Sequence, residues 1–155
     1  MWLATLCYPM RSKEVLLIYK RRGFGAGKYN GVGGKIEPNE DIWQGVKREV
    51  REEVGLELLE VSYKGVLVFY AENEVPDIVV HVFTSRKFKG EPSPSEEALP
   101  QWFGIDQIPY DSMWEDDKIW LPHVLNGKNI YGQFWFKRDY SKMLKYNLSV
   151  YYHSS

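Results

Sequence analysis

A helix that carries three glutamates beside a valine stripe constrains this chain more than any other feature. Within residues 41–54, Ile42, Val46, Val50 and Val54 recur at every fourth position, the spacing of one buried helical face. Glu49, Glu52 and Glu53 lie three and four residues apart and border that face. Asn39 or Asp41 stands where a helix is capped, and Gly55 stands where a left-handed stop is expected. The segment therefore predicts a helix whose carboxylates sit at the rim of a core. Like charges at this spacing repel and weaken a helix. A divalent cation resolves the conflict, because hard oxygen ligands suit Mg²⁺. Taken alone, such a face reads more readily as solvated acidic surface, so the neighbouring residues must decide.

On either side of this helix the pattern turns to strands. Residues 2–8 and 15–19 read as two strands joined by a turn at 9–13, followed by a glycine-dense stretch, RGFGAGKYNGVGG, over 22–34. Beyond the helix, 61–70 and 77–85 read as strands, the second buried on both faces because Ile78, Val80 and Val82 interleave with Val79, His81 and Phe83. Residues 91–97 read as a loop, 102–103 as a short strand, and 105–108 and 112–121 as helical segments or ordered loops. Residues 131–137 and 145–152 are strand-like, and His81 inside its strand reads as structural. The 155 residues suit one domain over 1–155, with no internal repeat. A net charge of -1 gives no basic field to hold a nucleic-acid polymer, though a small phosphorylated ligand needs only a local positive site. The single Cys7 forms no intramolecular disulfide and reads as a buried hydrophobe in a reducing compartment. The N-terminus lacks a signal-peptide pattern, and no apolar run approaches the ~20 residues that cross a bilayer, so a soluble cytoplasmic protein is expected. A monomer is expected as well, since no long apolar patch is left unassigned.

The surroundings of the glutamates change their reading. Residues 34–56, GKIEPNEDIWQGVKREVREEVGL, place Gly34, Glu40, Arg48, Glu49, Glu52, Glu53, Gly55 and Leu56 at every defined position of the Nudix box. The chain thus resembles the Nudix hydrolases. That resemblance implies an α/β/α sandwich with a mixed sheet and a loop–helix–loop that binds Mg²⁺, with Mn²⁺ as a substitute, and a diphosphate. It implies Glu49, Glu52 and Glu53 as the acidic metal-binding and base set, with Glu49 or Glu52 as the base, and the Gly33 carbonyl as a further ligand. Arg48 would orient Glu49 or Glu52 through a charge-assisted bond, and Glu40 would close a structural ion pair. Metal ions neutralise a triphosphate that otherwise repels incoming water, and a carboxylate takes the proton. Lys20, Gly34 and Lys35 are candidate phosphate-end contacts.

The box fixes the reaction class and leaves the substrate to the rest of the chain. There KRRGFGAGKYNGVGG over 20–34, the strand ending at His81, Val82 and Phe83, and WFGIDQIPYDSMWEDDKIWLP over 102–122 are similar to the animal 8-oxo-dGTP diphosphatases. The likeness implies Trp114 stacked on a purine, with Phe24 and Phe69 walling the slot and Thr5 at its floor. Asn30 presents donor and acceptor to a purine edge. Asp116 and Asp117 would sit at that edge, where two adjacent acids in a partly apolar slot do not both ionise easily. One protonated and one ionised carboxyl then donate to and accept from the base. Glu97 matches a position near the metal outside the box. Ala71, Ile78 and Ala98 depart from the pattern where an aromatic and two methionines are expected, which predicts a wider or differently shaped wall. The reading is therefore hydrolysis of oxidised purine nucleoside triphosphates to nucleoside monophosphate and pyrophosphate. A Nudix enzyme for a methylated purine triphosphate, a dinucleoside polyphosphate or ADP-ribose is the alternative. A catalytically dead binding module would have lost box glutamates, and all are present.

Overall fold

Tyr8, Pro9 and Met10 are buried, so the first strand runs straight through the residues whose proline had signalled a turn. In the computed structural model, which describes residues 1–152, β1 (Trp2–Arg11) extends to Arg11, and the reversal falls on Ser12, with φ 50°, and Lys13. The chain continues as β2 (Glu14–Lys20), β3 (Tyr29–Asn30), β4 (Val32–Lys35), α1 (Ile42–Val54), β5 (Glu57–Ala71), β6 (Ile78–Lys89) and β7 (Ala98–Gly104). A single 3-10 turn (Tyr110–Ser112) leads to α2 (Asp117–Leu125), and β8 (Asn129–Phe136) and β9 (Met143–Tyr151) close the order. Of the two segments read as helical or ordered loop, 112–121 turns helical only at Asp117, and 105–108 takes the loop alternative, with a turn at its start.

The strands form one mixed sheet in the order β3-β2-β1-β6-β5-β8-β9, with β4 on β1 and β7 on β2. β1 is its hub. It runs parallel to β6, while Ala4 to Cys7 pair antiparallel with β4 and Met10 and Arg11 pair antiparallel with β2. β5 pairs antiparallel with β6 and parallel with β8. The strand-like tail therefore extends the sheet.

Each face of the sheet has its own core and its own helix. On one face Val46, Val50 and Val54 of α1 pack with Cys7, Leu16, Ile18 and Phe83. On the other, Trp120, Leu121 and Val124 of α2 pack with Tyr8, Leu67 and Phe134. This is the α/β/α arrangement that the resemblance implied. Cys7 is fully buried, and burial pushes its thiol pKa up, which suits an inert hydrophobe. β6 is buried on both faces only from Val82 to Ser85. At Val79 and His81 the α1 side is half open, because helix cover ends at Trp43, which packs edge-on to Phe83 at 5.1 Å. His81 is held by Tyr63 Oη at 2.8 Å, in keeping with a structural role. Among the described residues no helix is long and apolar enough to cross a membrane.

The valine stripe carries a stability prediction. Val50 is fully buried, so Val50→Ala removes two methyl groups from a packed site. The variant should lose about 2 kcal/mol of unfolding free energy, read as a lower urea midpoint at unchanged slope. An unshifted midpoint would show that α1 does not bury this face.

Candidate active site

Both ends of α1 are fixed by local chemistry. Asp41 caps the N-terminus. Its carboxylate accepts from Gln44 N at 2.8 Å, while the Gln44 side chain accepts from Asp41 N at 2.9 Å. Gly55 ends the helix at φ 76°, where a side chain would be strained. Between these ends Arg48 organises the acids. Its Nε and Nη2 donate to the two Glu40 oxygens, both at 2.8 Å. Its Nη1 donates to Glu49 at 2.8 Å and Glu52 at 3.1 Å, and Nη2 also reaches the Lys35 carbonyl at 3.0 Å. The Arg48 bonds hold the Glu40 carboxyl at a pKa of about 2. One guanidinium thus ties helix, loop and strand β4 together.

The three helix glutamates do not point alike. Glu53 is 8% exposed and accepts from the Gly33 amide at 3.2 Å. Burial pushes its pKa up to about 7, against the Gly33 bond and the Lys20 charge, with Glu49 and Glu97 adding to the rise. Glu49 also lies inward, and burial raises its pKa against the pull of Arg48. Glu52 turns outward, its side chain 62% exposed. Glu97 is half-exposed, 3.9 Å from Arg22.

Among the described residues no three His, Cys, Asp or Glu side chains converge into a closed metal cage. The donors nevertheless fit a hard divalent cation. Glu49 and Glu53 lean on the backbone of β4, and a Cβ on Gly34 would lie 2.6 Å from Glu49 Oε2. A Cβ on Gly33 would collide with the Thr5 carbonyl. The two glycines thus let the β4 backbone come close to carboxylates whose charged form burial disfavours. A cation relieves that penalty.

A pocket opens beside this edge, and its lining includes Thr5, Lys20, Phe24, Asn30, Gly33, Gly34, Phe69, Trp114, Asp116 and Asp117. Phe24 stacks on Trp114 with centroids 5.1 Å apart and planes 23° apart. Phe24 is 57% exposed, on a loop where Gly23, Gly25 and Gly27 all take positive φ. Asp116 and Asp117 are 3% and 5% exposed. Trp120 Nε1 donates to Asp116 Oδ2 at 2.8 Å, whereas Asp117 Oδ2 and Thr5 Oγ1 are buried without a protein partner. Burial raises the Asp116 pKa to about 6, and burial followed by the Asp116 charge drives Asp117 well above the usual carboxylate range. Asp116 holds the N-cap position of α2, yet its side chain caps nothing. The pair that sequence habit would assign to capping is turned toward the pocket.

The structure therefore brings together nearly all the expected residues. Lys35 stands at the rim, its Nζ 4.4 Å from the ring of Trp2, which itself lines the pocket. Several lining residues had no sequence signal as pocket residues, Trp2, Val80 and Tyr140 among them. Trp2 and Val80 were legible only as strand residues, and their pocket role comes from the parallel β1–β6 pairing. Tyr140 lies in the β8–β9 turn. Ala71, small where an aromatic was anticipated, pairs with Phe136, and the Tyr140 ring lies 5.3 Å from Phe136. The wall, expected to be wider or differently shaped, is continued by an aromatic from the tail.

Comparison with known proteins agrees with this arrangement. A family model for the NUDIX domain matches residues 2–124. The chain is 43% identical over 135 residues to the oxidized purine nucleoside triphosphate hydrolase of Danio rerio, covering 87% of this chain and 86% of the relative. It is 41% identical over 146 residues to the oxidized purine nucleoside triphosphate hydrolase of Mus musculus, covering 94% and 93%. The crystal structure of a MutT protein from Bacillus halodurans superposes with a TM-score of 0.85 at 29% identity, covering 96% of this chain and 97% of that one.

Proposed function

The chain belongs to the NUDIX family, and from that premise we propose that it hydrolyses oxidised purine nucleoside triphosphates, 8-oxo-dGTP foremost, to nucleoside monophosphate and pyrophosphate. One observation carries the reading. A buried carboxyl pair, Asp116 and Asp117, faces the same pocket as the aromatic slot of Phe24, Phe69 and Trp114, and the glutamates of α1 stand at its edge beside Gly33 and Gly34. A planar base with donors and acceptors suits the first group, and phosphates suit the second. The two relatives are named oxidized purine nucleoside triphosphate hydrolases.

In this reading Glu49, Glu52, Glu53 and the Gly33 carbonyl would hold a divalent cation, Mg²⁺ with Mn²⁺ as substitute, with Glu97 as a further candidate ligand. When bound, the cation supplies Lewis-acid neutralisation of phosphate charge. Lys20, Lys35 and the Gly34 backbone steady the phosphates. Arg48 keeps Glu49 and Glu52 oriented, and one of them takes the proton from the attacking water as a phosphorus–oxygen bond of the anhydride breaks. Trp114 stacks on the base, and Phe24, on its glycine-flanked loop, is the movable wall that admits it. Asn30 reads an edge of the base. A protonated Asp117 donates to the base and an ionised Asp116 accepts from it, and Thr5 lines the floor.

The deciding measurement is kcat/KM for 8-oxo-dGTP over dGTP in Mg²⁺. A polar site built for a modified base should discriminate by at least ~10-fold, and chelation should abolish both activities. A ratio near one with metal-dependent turnover intact would move the substrate to another nucleotide, such as a methylated purine triphosphate, a dinucleoside polyphosphate or ADP-ribose.

A further inference from the structure

Tyr140 holds a backbone conformation that its side chain does not favour. Its φ is 63°, in the left-handed region, which is costly for a bulky residue and persists only where the surroundings over-determine it. The surroundings here are specific. Tyr140 Oη donates to Asp77 Oδ2 at 2.6 Å. Its ring lies edge-on to Phe24 at 5.4 Å and to Trp114 at 6.2 Å. The turn that carries it is tied to both pocket-bearing segments. Arg138 N donates to Glu72 Oε2 at 2.9 Å on the β5–β6 side, and Met143 N donates to Glu115 Oε1 at 3.0 Å, between Trp114 and Asp116. Asp77 directly precedes Ile78, another lining residue.

We propose that Tyr140 is a specificity-determining residue of the base pocket. Its hydrogen bond to Asp77 latches the β8–β9 turn across the outer end of the Phe24–Trp114 stack and sets the size of base the slot accepts. The proposal rests on the nucleotide reading above and adds to it a residue outside the family motif. Rings that meet edge-on fix position, because the positive edge of one lies against the negative face of the other. With the hydroxyl bond in place the Tyr140 edge is a hard stop. Without it the turn keeps its main-chain ties and ring contacts but loses the bond that fixes the ring against Asp77, and the stop gives way. The latch acts on binding of the base and not on the phosphate chemistry, so its loss belongs in KM.

Tyr140→Phe keeps the ring and removes the bond. It should raise KM for 8-oxo-dGTP about fivefold with the effect absent from kcat, and lower the ratio of 8-oxo-dGTP to dGTP by a similar factor. Asp77→Ala should do the same, and the double variant should be no worse than either single, since all three remove one bond. Asp77→Asn retains an acceptor oxygen and should restore KM to within about twofold of wild type. Additive losses, an unchanged KM, or equal losses on both nucleotides that follow only a lowered Tm would overturn the proposal. The latch is also read without substrate. In Tyr140→Phe the amides of residues 137–142 should exchange with deuterium ~10-fold faster while those of β8 do not change. Unchanged exchange in the turn overturns the latch whatever nucleotide the enzyme prefers. A wild-type ratio near one overturns the oxidised-purine reading instead, and KM is then followed on the nucleotide that is turned over.

Discussion

Glu53→Gln should abolish most turnover while leaving the protein folded. The carboxylate is buried against the Gly33 amide, and its pKa is raised to about 7 chiefly by burial. Glutamine fills the same volume and still offers an oxygen to that amide, so packing and the hydrogen bond survive. What is lost is the negative charge that a divalent cation requires of its ligand. Loss of kcat/KM by at least ~100-fold is expected, with little response to added metal. The neighbours separate the roles. Glu49 shares the inward position, and Glu52 is outward and tied to Arg48. Replacing the general base by glutamine should cost at least ~100-fold in kcat at saturating metal. Glu49→Gln and Glu52→Gln are therefore each assayed across a metal titration. If neither loses that much, the general-base role belongs to another group. If Glu53→Gln retains activity at wild-type metal concentrations, the cation does not use this carboxylate.

The helix was the most legible element because its spacing, cap and stop all depend on local chemistry. Ile42 to Val54 carries the period, Asp41 the capping box and Gly55 the left-handed turn, and none of these needs a distant partner. The strands were legible in kind and less so in extent. Pro9 signalled a turn locally, but pairing of β1 with β6 and burial of Tyr8 and Met10 prevailed. The helix glutamates of the candidate site lay in one motif, though periodicity puts Glu49, Glu52 and Glu53 on one face without saying that Glu52 turns outward. The base pocket is harder to read, since it is assembled from β1, β2, β6, the 112–117 segment and the tail. Trp114 and the two aspartates were found through resemblance. Tyr140 was not, because its role exists only once the β8–β9 hairpin folds back on Asp77.

Asp117→Asn should stabilise the protein in alkaline solution and impair its selection of substrate, an opposition that identifies a group kept for function. In the fold both aspartate pKa values are raised chiefly by burial, Asp116 to about 6 with the Glu115 charge adding, and Asp117 well above the usual carboxylate range with the Asp116 charge adding. A carboxyl whose folded pKa exceeds its unfolded value favours the fold below the unfolded pKa, near ~3.9. It loses that contribution as pH rises through the folded value. Across pH 5 to 8 the pair therefore drains stability, and the positive N-terminal end of α2, worth at most ~1–2 kcal/mol to a nearby anion, does not offset it. Asparagine resembles the protonated acid and cannot ionise. Relative to wild type, Asp117→Asn should show little change in Tm at pH 5 and a gain of about 2–4 °C at pH 8, corresponding to at least ~1 kcal/mol. The same substitution leaves the base facing an amide that no longer gives up or takes a proton. Losing the hydroxyl donor of the protonated Asp117 leaves a buried polar group of the base poorly paired, a cost of ~1–3 kcal/mol, so kcat/KM for 8-oxo-dGTP should fall ~10- to 100-fold. The loss for dGTP should be smaller. A Tm difference that does not grow with pH would mean that Asp117 is already ionised in the fold across the range, its pKa not raised. An equal loss for both nucleotides would mean that the pair shapes the pocket without reading the oxidised base.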